Sequence, residues 1–308
     1  MLNRIVRATA DGIEIEADQR HAEIVVRQLQ LEDSNGVVSP WDESADPKTT
    51  DSDGRDLRDH CDPETNSLYK SITARFNYLS MDRPDLQYAV KELCRNMSAP
   101  TWLDWAHMRR VGRYLAGKPR LVIKFEFQGN IAELTAMSDA NWAGCKETRK
   151  ITSGGCLLIG KHLIKSWSKT QHAIATSSAE SEGIALVKTT SEAIGLARIV
   201  EEFTGNPMRI ALWADASAAL GMLDRVGSGK VRHVDVGILW LQQKWLKHIV
   251  NFSQIPGQDN YSNLMTKGLG REQCEEFMRE LDCQFRQGRA GKAVKIDRAI
   301  GEVSRHRD

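Results

Sequence analysis

The order of strand-like and helix-like segments from Leu134 onward constrains the fold more than any other feature of the sequence. Short apolar runs alternate with longer stretches of helical period, in the order strand, strand, strand, helix, strand, helix, helix, strand, helix. The second of these helices is predicted over Ala216 to Leu223, and the last over Asp259 to Leu269. The second and third strands meet at a tight turn, Gly160-Lys161, which is typical of a hairpin. This order predicts an α/β domain with five strands.

The sequence before Leu134 has a different character and is mostly helical. An alternating stretch, Gly12 to Glu16, predicts a short strand, and Asp18 is placed to cap the helix that follows. Together with the α/β segment, these patterns predict five regions. Residues 1–40 form the first region, and residues 41–66 form a disordered linker rich in Asp, Ser and Pro. Residues 67–130 form a helical region closed by a strand from Leu121, and residues 131–270 form the α/β domain. Residues 271–308 form a helix with a disordered basic tail.

Bulk properties exclude several classes of protein. The formal net charge is +1, so a nucleic-acid surface would have to come from local clustering of basic residues. The six cysteines form no Cys-x-x-Cys pair, which disfavours a zinc site. No apolar run approaches the roughly 20 residues of a membrane span, and the first ten residues lack a signal-peptide core. The sequence therefore predicts an intracellular protein without a membrane partner, either cytoplasmic or nuclear.

Two strands of the predicted domain each deliver an aspartate at the carboxyl end, Asp139 and Asp215. Ligands of open α/β sheets collect beyond these ends, and Glu182 lies in the first turns of the long helix between them. Three converging carboxylates repel one another, and divalent cations relieve that repulsion. The pattern predicts two Mg²⁺ ions, with Mn²⁺ as the alternative ion, and metal-assisted hydrolysis of a phosphodiester.

Each of these carboxylates also has a structural interpretation. An aspartate after a strand is usually a turn or cap residue, because its short side chain bonds nearby backbone N–H groups. Ser177 and Glu180 have the spacing of a capping box at the start of the long helix. That structural role for Glu180 favours Glu182 as the ligand, but the spacing alone leaves both glutamates open.

Seven short blocks, in this order, resemble the ribonuclease H domain at the end of copia-type retrotransposon polyproteins. In combination they are far more specific than any single motif. The blocks are Ser138-Asp-Ala-Asn-Trp-Ala-Gly144, Thr152-Ser-Gly-Gly155, Ser166-Trp-Ser168, Ser177-Ser-Ala-Glu-Ser-Glu182, Ala214-Asp215, His233-Val-Asp235 and Leu264-Met-Thr-Lys-Gly-Leu269. The resemblance implies a mixed five-stranded sheet with flanking helices.

Upstream segments resemble the end of the reverse transcriptase of the same family. The resemblance implies a connection-like region over 67–130 and, more weakly, a remnant of the reverse transcriptase C-terminal region over 1–40. The polymerase site of the family needs a Tyr-x-Asp-Asp turn, and the chain contains no Asp-Asp pair. The sequence therefore carries no polymerase active site. The blocks that support this resemblance are Ser67-Leu-Tyr69, Asn77-Tyr-Leu79, Arg83-Pro-Asp85 and Arg113-Tyr-Leu-Ala-Gly117.

The acidic site of the ribonuclease H family falls on Asp139, Glu182 and Asp215 of this chain. The fourth acidic position falls on Asn263, which keeps an oxygen ligand but loses the charge, so a second metal is expected to bind less tightly. Three further departures from the family pattern are Asn141, Gly183 and Ala216.

Taken with the resemblance, these residues predict an Mg²⁺-dependent endonuclease that cuts the RNA strand of RNA–DNA hybrids as part of a Pol polyprotein. The intact triad favours this hypothesis. Asn263 and Gly183 favour two others, namely a degenerate copy that binds nucleic acid without cutting it and an inert fragment of an element. Fold alone does not distinguish them.

Basic residues near the predicted hairpin and in a Gly-rich loop are candidate phosphate contacts: Lys150, Lys169, Arg232 and His233. The alternative is a solvated charged face. Five tryptophans of the domain invite a base-stacking role, but large aromatics usually build cores, and core packing is the prediction. They are Trp142, Trp167, Trp213, Trp240 and Trp245.

Overall fold

The computed structural model describes residues 3–42, 50–51, 54–129, 131–142, 150–172, 175–215, 217, 221, 223 and 236–294. The chain divides into two compact units, Met1–Glu126 with Gly268–Asp308, and Phe127–Lys267. The first unit thus joins regions that the sequence analysis had kept separate. Among the described residues, no helix has the length and apolarity that crossing a membrane requires.

Helices and strands are numbered here in chain order. The strands are β1 (Ile5–Ala8), β2 (Gly12–Glu16), β3 (Arg120–Glu126), β4 (Glu133–Asn141), β5 (Thr152–Ile159), β6 (His162–Thr170), β7 (Arg209–Ala214), β8 (Asn251–Gln254) and β9 (Cys283–Arg286). The helices are α1 (Gln19–Gln28), α2 (Pro63–Ser80), α3 (Gln87–Arg95), α4 (Trp102–Gly117), α5 (Ser178–Thr204), α6 (Val236–Leu246) and α7 (Arg271–Glu280).

The first unit has an antiparallel sheet in the order β1-β2-β3-β9 and a helical core. Asp18 caps α1 as predicted, accepting a hydrogen bond from the Arg20 backbone N–H. Helices α1 to α4 pack together around buried aromatic and aliphatic side chains, which confirms the predicted helical character of this part of the chain. That core includes Tyr69, Ile72, Phe76, Leu86, Val90, Met108, Val111 and Tyr114.

Two predictions about the first unit were wrong in detail. Helix α2 begins at Pro63, inside the predicted linker, of which residues 43–49 and 52–53 lie outside the described residues. The predicted helix from Arg271 to Phe285 ends at Glu280, because Asp282 takes a positive φ of 52° and turns the chain. The next residues form β9, which pairs with β3. Residues 295–308 of the predicted tail lie outside the described residues.

A buried ion pair links the segment between α2 and α3 to α4. The Arg83 guanidinium donates to the Asp85 carboxylate at 2.7 Å, and the Tyr114 hydroxyl donates to the same carboxylate at 2.9 Å. Arg83 also donates to the Lys118 carbonyl oxygen at 3.2 Å. The side chain of Arg83 is only 1% exposed. Its charge therefore depends on Asp85 for compensation.

The second unit is built on a mixed sheet in the order β6-β5-β4-β7-β8. Strands β4, β5 and β6 are antiparallel neighbours, whereas β7 is parallel to β4 and β8 is parallel to β7. The predicted hairpin joins β5 to β6, and Gly160 supplies its positive φ of 59°. This arrangement confirms the predicted five-stranded mixed sheet of the ribonuclease H-like fold.

Helix α5 packs against β4 and covers the apolar centre of the sheet. It ends at Gly205, whose φ of 69° suits a helix C-terminus. Trp167, Trp240 and Trp245 are partly buried against this core, in agreement with the prediction. Trp142 is 48% exposed, so the core prediction was wrong for it. The predicted helix from Ala216 to Leu223 lies mostly outside the described residues.

Candidate metal centre

Three carboxylates converge at one end of the mixed sheet. Asp139 lies on β4, and Asp215 directly follows β7, whose Ala214 is the register partner of Ser138. Because the two strands are parallel neighbours, their carboxyl ends lie side by side. Glu182 reaches the same point from the second turn of α5. One oxygen from each carboxylate lies within 4.8 Å of the others.

The local sequence explains how Asp139 is presented. The strand was expected to end at this residue, but β4 continues to Asn141, and Asp139 pairs with Gly154 of β5. Asp139 therefore lies within β4, which has the neighbouring strands β5 and β7, and not in a turn. Its side chain is almost fully buried, which excludes the solvated turn or cap role considered for it.

The structure separates the two glutamates that the sequence left open. Glu180 accepts hydrogen bonds from the Thr176 backbone N–H at 2.6 Å and from the Thr176 hydroxyl at 2.7 Å. Ser177 caps the helix by accepting from the Glu180 N–H. In a capping box, the glutamate side chain accepts from the backbone N–H of the cap residue, here Ser177. Glu180 accepts instead from Thr176, one residue before the cap. Glu180 is occupied at the helix start, and Glu182 is the glutamate in the cluster.

Burial and mutual repulsion dominate the electrostatics of the cluster. Burial, followed by the negative charges of Asp139 and Asp215, raises the pKa of Glu182 to about 9. Burial and the charge of Asp139 also raise the pKa of Asp215. The Glu182 Oε1 atom accepts from the Ala140 N–H at 3.3 Å. Its Oε2 atom is buried and has no hydrogen-bond partner among the described residues.

These observations fit a divalent cation that prefers oxygen ligands. Carboxylate oxygens are the donors that Mg²⁺ and Mn²⁺ take, whereas zinc sites usually draw on cysteine and histidine. A cation would supply the partner that Glu182 Oε2 lacks and would offset the repulsion that raises both pKa values. The cluster therefore has the composition, spacing and electrostatic need of a divalent-metal site.

Glu182→Gln is expected to stabilise the cation-free protein in alkaline buffer. The folded protein keeps a proton on Glu182 up to about pH 9, whereas the unfolded chain loses it near 4.5. Unfolding then releases a proton, so the free energy of unfolding falls as pH rises between these values, by up to about 1.4 kcal/mol per pH unit. The glutamine variant loses most of that slope in urea melts at pH 6 to 8.5 in EDTA.

Glu201→Gln is the matched control, because Glu201 is an exposed residue of the same helix. It should keep the slope of the unaltered protein. An equal slope in the Glu182→Gln variant contradicts the assigned electrostatics of the cluster.

A short turn after β8 holds Asp139 in place. The predicted helix over Asp259 to Leu269 is instead two 3₁₀ turns, Gly257–Asp259 and Tyr261–Met265. Directly after the second turn, the Thr266 hydroxyl donates to Asp139 Oδ2. The Lys267 ammonium lies 3.4 Å from the same oxygen. Sequence reasoning did not identify these two residues as part of the site, although they belong to one of the family-like blocks.

Asn263, the fourth ligand expected from the resemblance, lies in this turn and is linked to Asp139 through Lys267. Its Nδ2 atom donates to the Gly257 carbonyl oxygen at 2.6 Å, and its Oδ1 atom accepts from Lys267 Nζ at 2.8 Å. The amide oxygen thus faces an ammonium group in this structure. A ligand role for Asn263 stays a prediction.

Gly154 makes room for the turn. A Cβ at this position would lie 2.6 Å from Thr266 Cγ2, 2.7 Å from Met265 Cβ and 3.1 Å from the Ser262 carbonyl oxygen. Gly154 is the register partner of Asp139 on β5. Its lack of a side chain is therefore needed for the turn to approach β5 closely. The Ser-Gly-Gly sequence of β5 was a usable signal of this contact.

Gly154→Ala is expected to destabilise the chain by roughly 1–3 kcal/mol, because the added methyl forces the turn away from the sheet. The measurement is chemical denaturation followed by circular dichroism. Gly195→Ala is the control: nothing lies within 4 Å of its added Cβ, and alanine favours the helix. Equal stabilities of the two variants contradict the close packing inferred at Gly154.

The predicted nucleic-acid contacts are only partly described. Lys150 and Lys169 are exposed, and Lys169 pairs in register with Ser153 next to Gly154. Both lysines therefore belong to the hairpin side of the sheet. Arg232 and His233 lie outside the described residues.

The topology and the acidic cluster together define a ribonuclease H-like unit. Comparisons with known proteins find Pol polyproteins, the class of protein that the sequence motifs resemble. No family model matches the chain. The Retrovirus-related Pol polyprotein from transposon RE2 of Arabidopsis thaliana is 29% identical over 248 residues, covering 80% of this chain and 16% of that protein. The corresponding polyprotein from transposon TNT 1-94 of Nicotiana tabacum is 26% identical over 215 residues, covering 68% and 16%.

Over 68–80% of its length, the chain is similar to retrovirus-related Pol polyproteins from copia-type transposons. It spans 16% of the length of each of these two relatives. Among solved structures, LC11-RNase H1 in complex with an RNA/DNA hybrid aligns at 12% identity and a TM-score of 0.34, covering 44% of this chain and 94% of that chain.

Proposed function

We propose that the second unit is a divalent-cation-dependent endonuclease that hydrolyses the RNA strand of RNA–DNA hybrids within a retrotransposon Pol polyprotein. The observation that carries the proposal is the convergence of Asp139, Glu182 and Asp215, with one oxygen of each within 4.8 Å of the others. The similarity to retrovirus-related Pol polyproteins supports the same activity, because an element copied from RNA into DNA passes through such a hybrid.

The chain's own residues have distinct roles in this proposal. Asp139, Glu182 and Asp215 would hold the cations, two Mg²⁺ ions with Mn²⁺ as the alternative, and Asn263 would contribute a neutral oxygen. When bound, divalent cations lower the pKa of water and stabilise the leaving oxygen of an in-line displacement. Thr266 orients Asp139 through its hydroxyl bond. The buried Glu182 is held by the Ala140 N–H.

The exposed hairpin lysines support a nucleic-acid substrate. Lys150 and Lys169 offer charge for phosphates, and Arg232 and His233 are proposed as further phosphate contacts. A hybrid would be recognised by shape, phosphates and 2′-hydroxyls rather than by base sequence. Binding should therefore weaken as salt increases and depend little on sequence.

The test is a panel of end-labelled substrates of one sequence, incubated with the purified chain in Mg²⁺. The panel contains an RNA–DNA hybrid, an RNA duplex, a DNA duplex and single-stranded RNA. We expect cleavage of the RNA strand of the hybrid and little cleavage of the others. Equal cleavage of all RNA substrates contradicts the assigned substrate, and no cleavage by a folded sample contradicts the activity.

A second candidate function is favoured by the neutral Asn263 at the fourth acidic position. A copy that holds the second cation poorly would keep the fold and bind hybrids without cutting them. Retention of the hybrid in a gel-shift experiment, in a sample that cuts nothing with Mg²⁺ or Mn²⁺, would establish this binding module. A sample that neither binds nor cuts would be an inert remnant.

For the first unit we propose the end of a reverse transcriptase, acting as a scaffold rather than a catalyst. The upstream motifs support this assignment, as does the absence of an Asp-Asp pair from the sequence. Its partner would be the remainder of the Pol polyprotein.

A further inference from the structure

Lys267 lies between two groups that a second cation would need. Its Nζ atom donates to Asn263 Oδ1 at 2.8 Å and lies 3.4 Å from Asp139 Oδ2. The lysine side chain is 37% exposed, whereas the Asp139 side chain is 2% exposed. The ammonium group thus approaches from the solvent side and touches the most buried carboxylate of the cluster.

The contact with Asn263 fixes this position. An ammonium group only donates hydrogen bonds, and the Asn263 amide oxygen accepts one of them. The amide is itself oriented by its bond to the Gly257 carbonyl oxygen. The two residues are also four positions apart, at the end of the same turn. Lys267 is therefore held against Asp139 by a neutral partner, which takes no share of its charge.

A cation shared by Asp139 and Asn263 would need the oxygens that Lys267 now contacts. Oxygen atoms that receive ammonium hydrogen bonds cannot at the same time direct the same lone pairs at a metal ion, and two cations at this distance repel each other. The side of the cluster formed by Glu182 and Asp215 is different. Among the described residues, the Lys267 ammonium pairs with Asp139 and with neither Glu182 nor Asp215, and Glu182 Oε2 has no hydrogen-bond partner there.

We propose that Lys267 is a built-in competitor of the second cation: one cation binds the three carboxylates readily, and a second binds only when the ammonium group leaves Asp139 and Asn263. The inference rests on the proposed function, because it assumes that the cluster binds cations. It makes Lys267 a positioning residue that sets the order and the relative affinity of the two ions.

A lysine that acts only through its charge would behave differently. Its field would weaken both cations by similar factors, because both sites lie near Asp139. Competition weakens the second cation alone. The ratio of the two dissociation constants therefore separates the two roles, and it can be measured without any cleavage assay.

The experiment is a Mn²⁺ titration of the folded chain, followed by calorimetry and by the electron paramagnetic resonance signal of free Mn²⁺. Four proteins are compared: the unaltered chain, Lys267→Met, Lys267→Arg and Lys165→Met. Lys165 pairs with Glu192 at 2.6 Å, outside the cluster, and serves as the control for loss of one positive charge. Circular dichroism verifies that each protein is folded.

We expect Lys267→Met to tighten the second Mn²⁺ by roughly two- to fivefold relative to the first, the range expected for loss of a partly exposed ionic contact. Lys267→Arg and Lys165→Met should keep the ratio of the unaltered chain. An unchanged ratio in Lys267→Met, or equal tightening of both ions, overturns the inference and leaves the proposed function intact. No Mn²⁺ binding by any of the four proteins overturns both.

Discussion

Asp139→Asn is expected to lower the rate of RNA-strand cleavage at least about 10³-fold in Mg²⁺, the scale for loss of a group that acts directly in catalysis. Asp139 interacts with both other carboxylates of the cluster: its negative charge raises the pKa of Glu182 and of Asp215, and Thr266 and Lys267 both contact it. An amide keeps the size of the side chain but removes the charge that would hold a cation.

The comparison is made by single-turnover cleavage of a labelled RNA–DNA hybrid. Asp259→Asn is the matched control, because Asp259 is an exposed carboxylate outside the cluster, and its rate should stay within about twofold of the unaltered chain, as for a surface residue away from the chemistry. Asp139→Asn should also remain folded, since removing one of the negative charges that repel each other relieves the cation-free site. Cleavage by a folded Asp139→Asn protein at an undiminished rate contradicts the assigned role.

Asp85→Ala is expected to destabilise the chain by about 3–5 kcal/mol, the cost of leaving a buried charge without its partner. Arg83 is fully buried, and its remaining acceptor would be the neutral Lys118 carbonyl oxygen at 3.2 Å. The Tyr114 hydroxyl would lose its acceptor in the same change. The measurement is urea denaturation followed by far-ultraviolet circular dichroism.

A double variant separates the buried charge from the loss of packing. Arg83→Met with Asp85→Leu removes both charges and keeps apolar volume, so it should be more stable than Asp85→Ala. Asp56→Ala breaks an exposed pair with Arg58 and should leave the denaturation midpoint unchanged. If Asp85→Ala unfolds at the midpoint of the unaltered chain, Arg83 does not depend on Asp85 for compensation.

The acidic cluster was predictable because its geometry follows from local pattern and sheet rules. Asp139 and Asp215 follow apolar strands, and parallel neighbours bring such positions to one edge. Glu182 could be separated from Glu180 only by three-dimensional contacts, since both lie in the first turns of the same helix. The bond from Thr176 to Glu180 decides between them.

The contacts of Lys267 and Thr266 with Asp139 were not predictable from periodicity. They depend on a 3₁₀ turn more than 120 residues away in sequence, which approaches β4 because Gly154 has no side chain. Propensity suggested an ordinary helix there. Tertiary packing at a glycine selected a tighter turn instead.

Non-local pairing also explains the failures in the first unit. The helical period after Arg271 was read correctly to Glu280, but β9 forms only because β3 offers it an antiparallel partner from the other end of the unit. A four-residue strand carries too little pattern to be recognised alone.

Trp142 was expected in a core, and its exposure reflects its place just beyond the end of β4.

Removing and restoring the metal in one sample tests whether this chain cuts RNA in a hybrid through cations held by three carboxylates. Cleavage of the RNA strand is followed in Mg²⁺, after excess EDTA, and after Mg²⁺ is added back. We expect cleavage, arrest and recovery. Cleavage that continues in EDTA, or no cleavage in Mg²⁺ or Mn²⁺ by a sample shown to be folded, contradicts this mechanism.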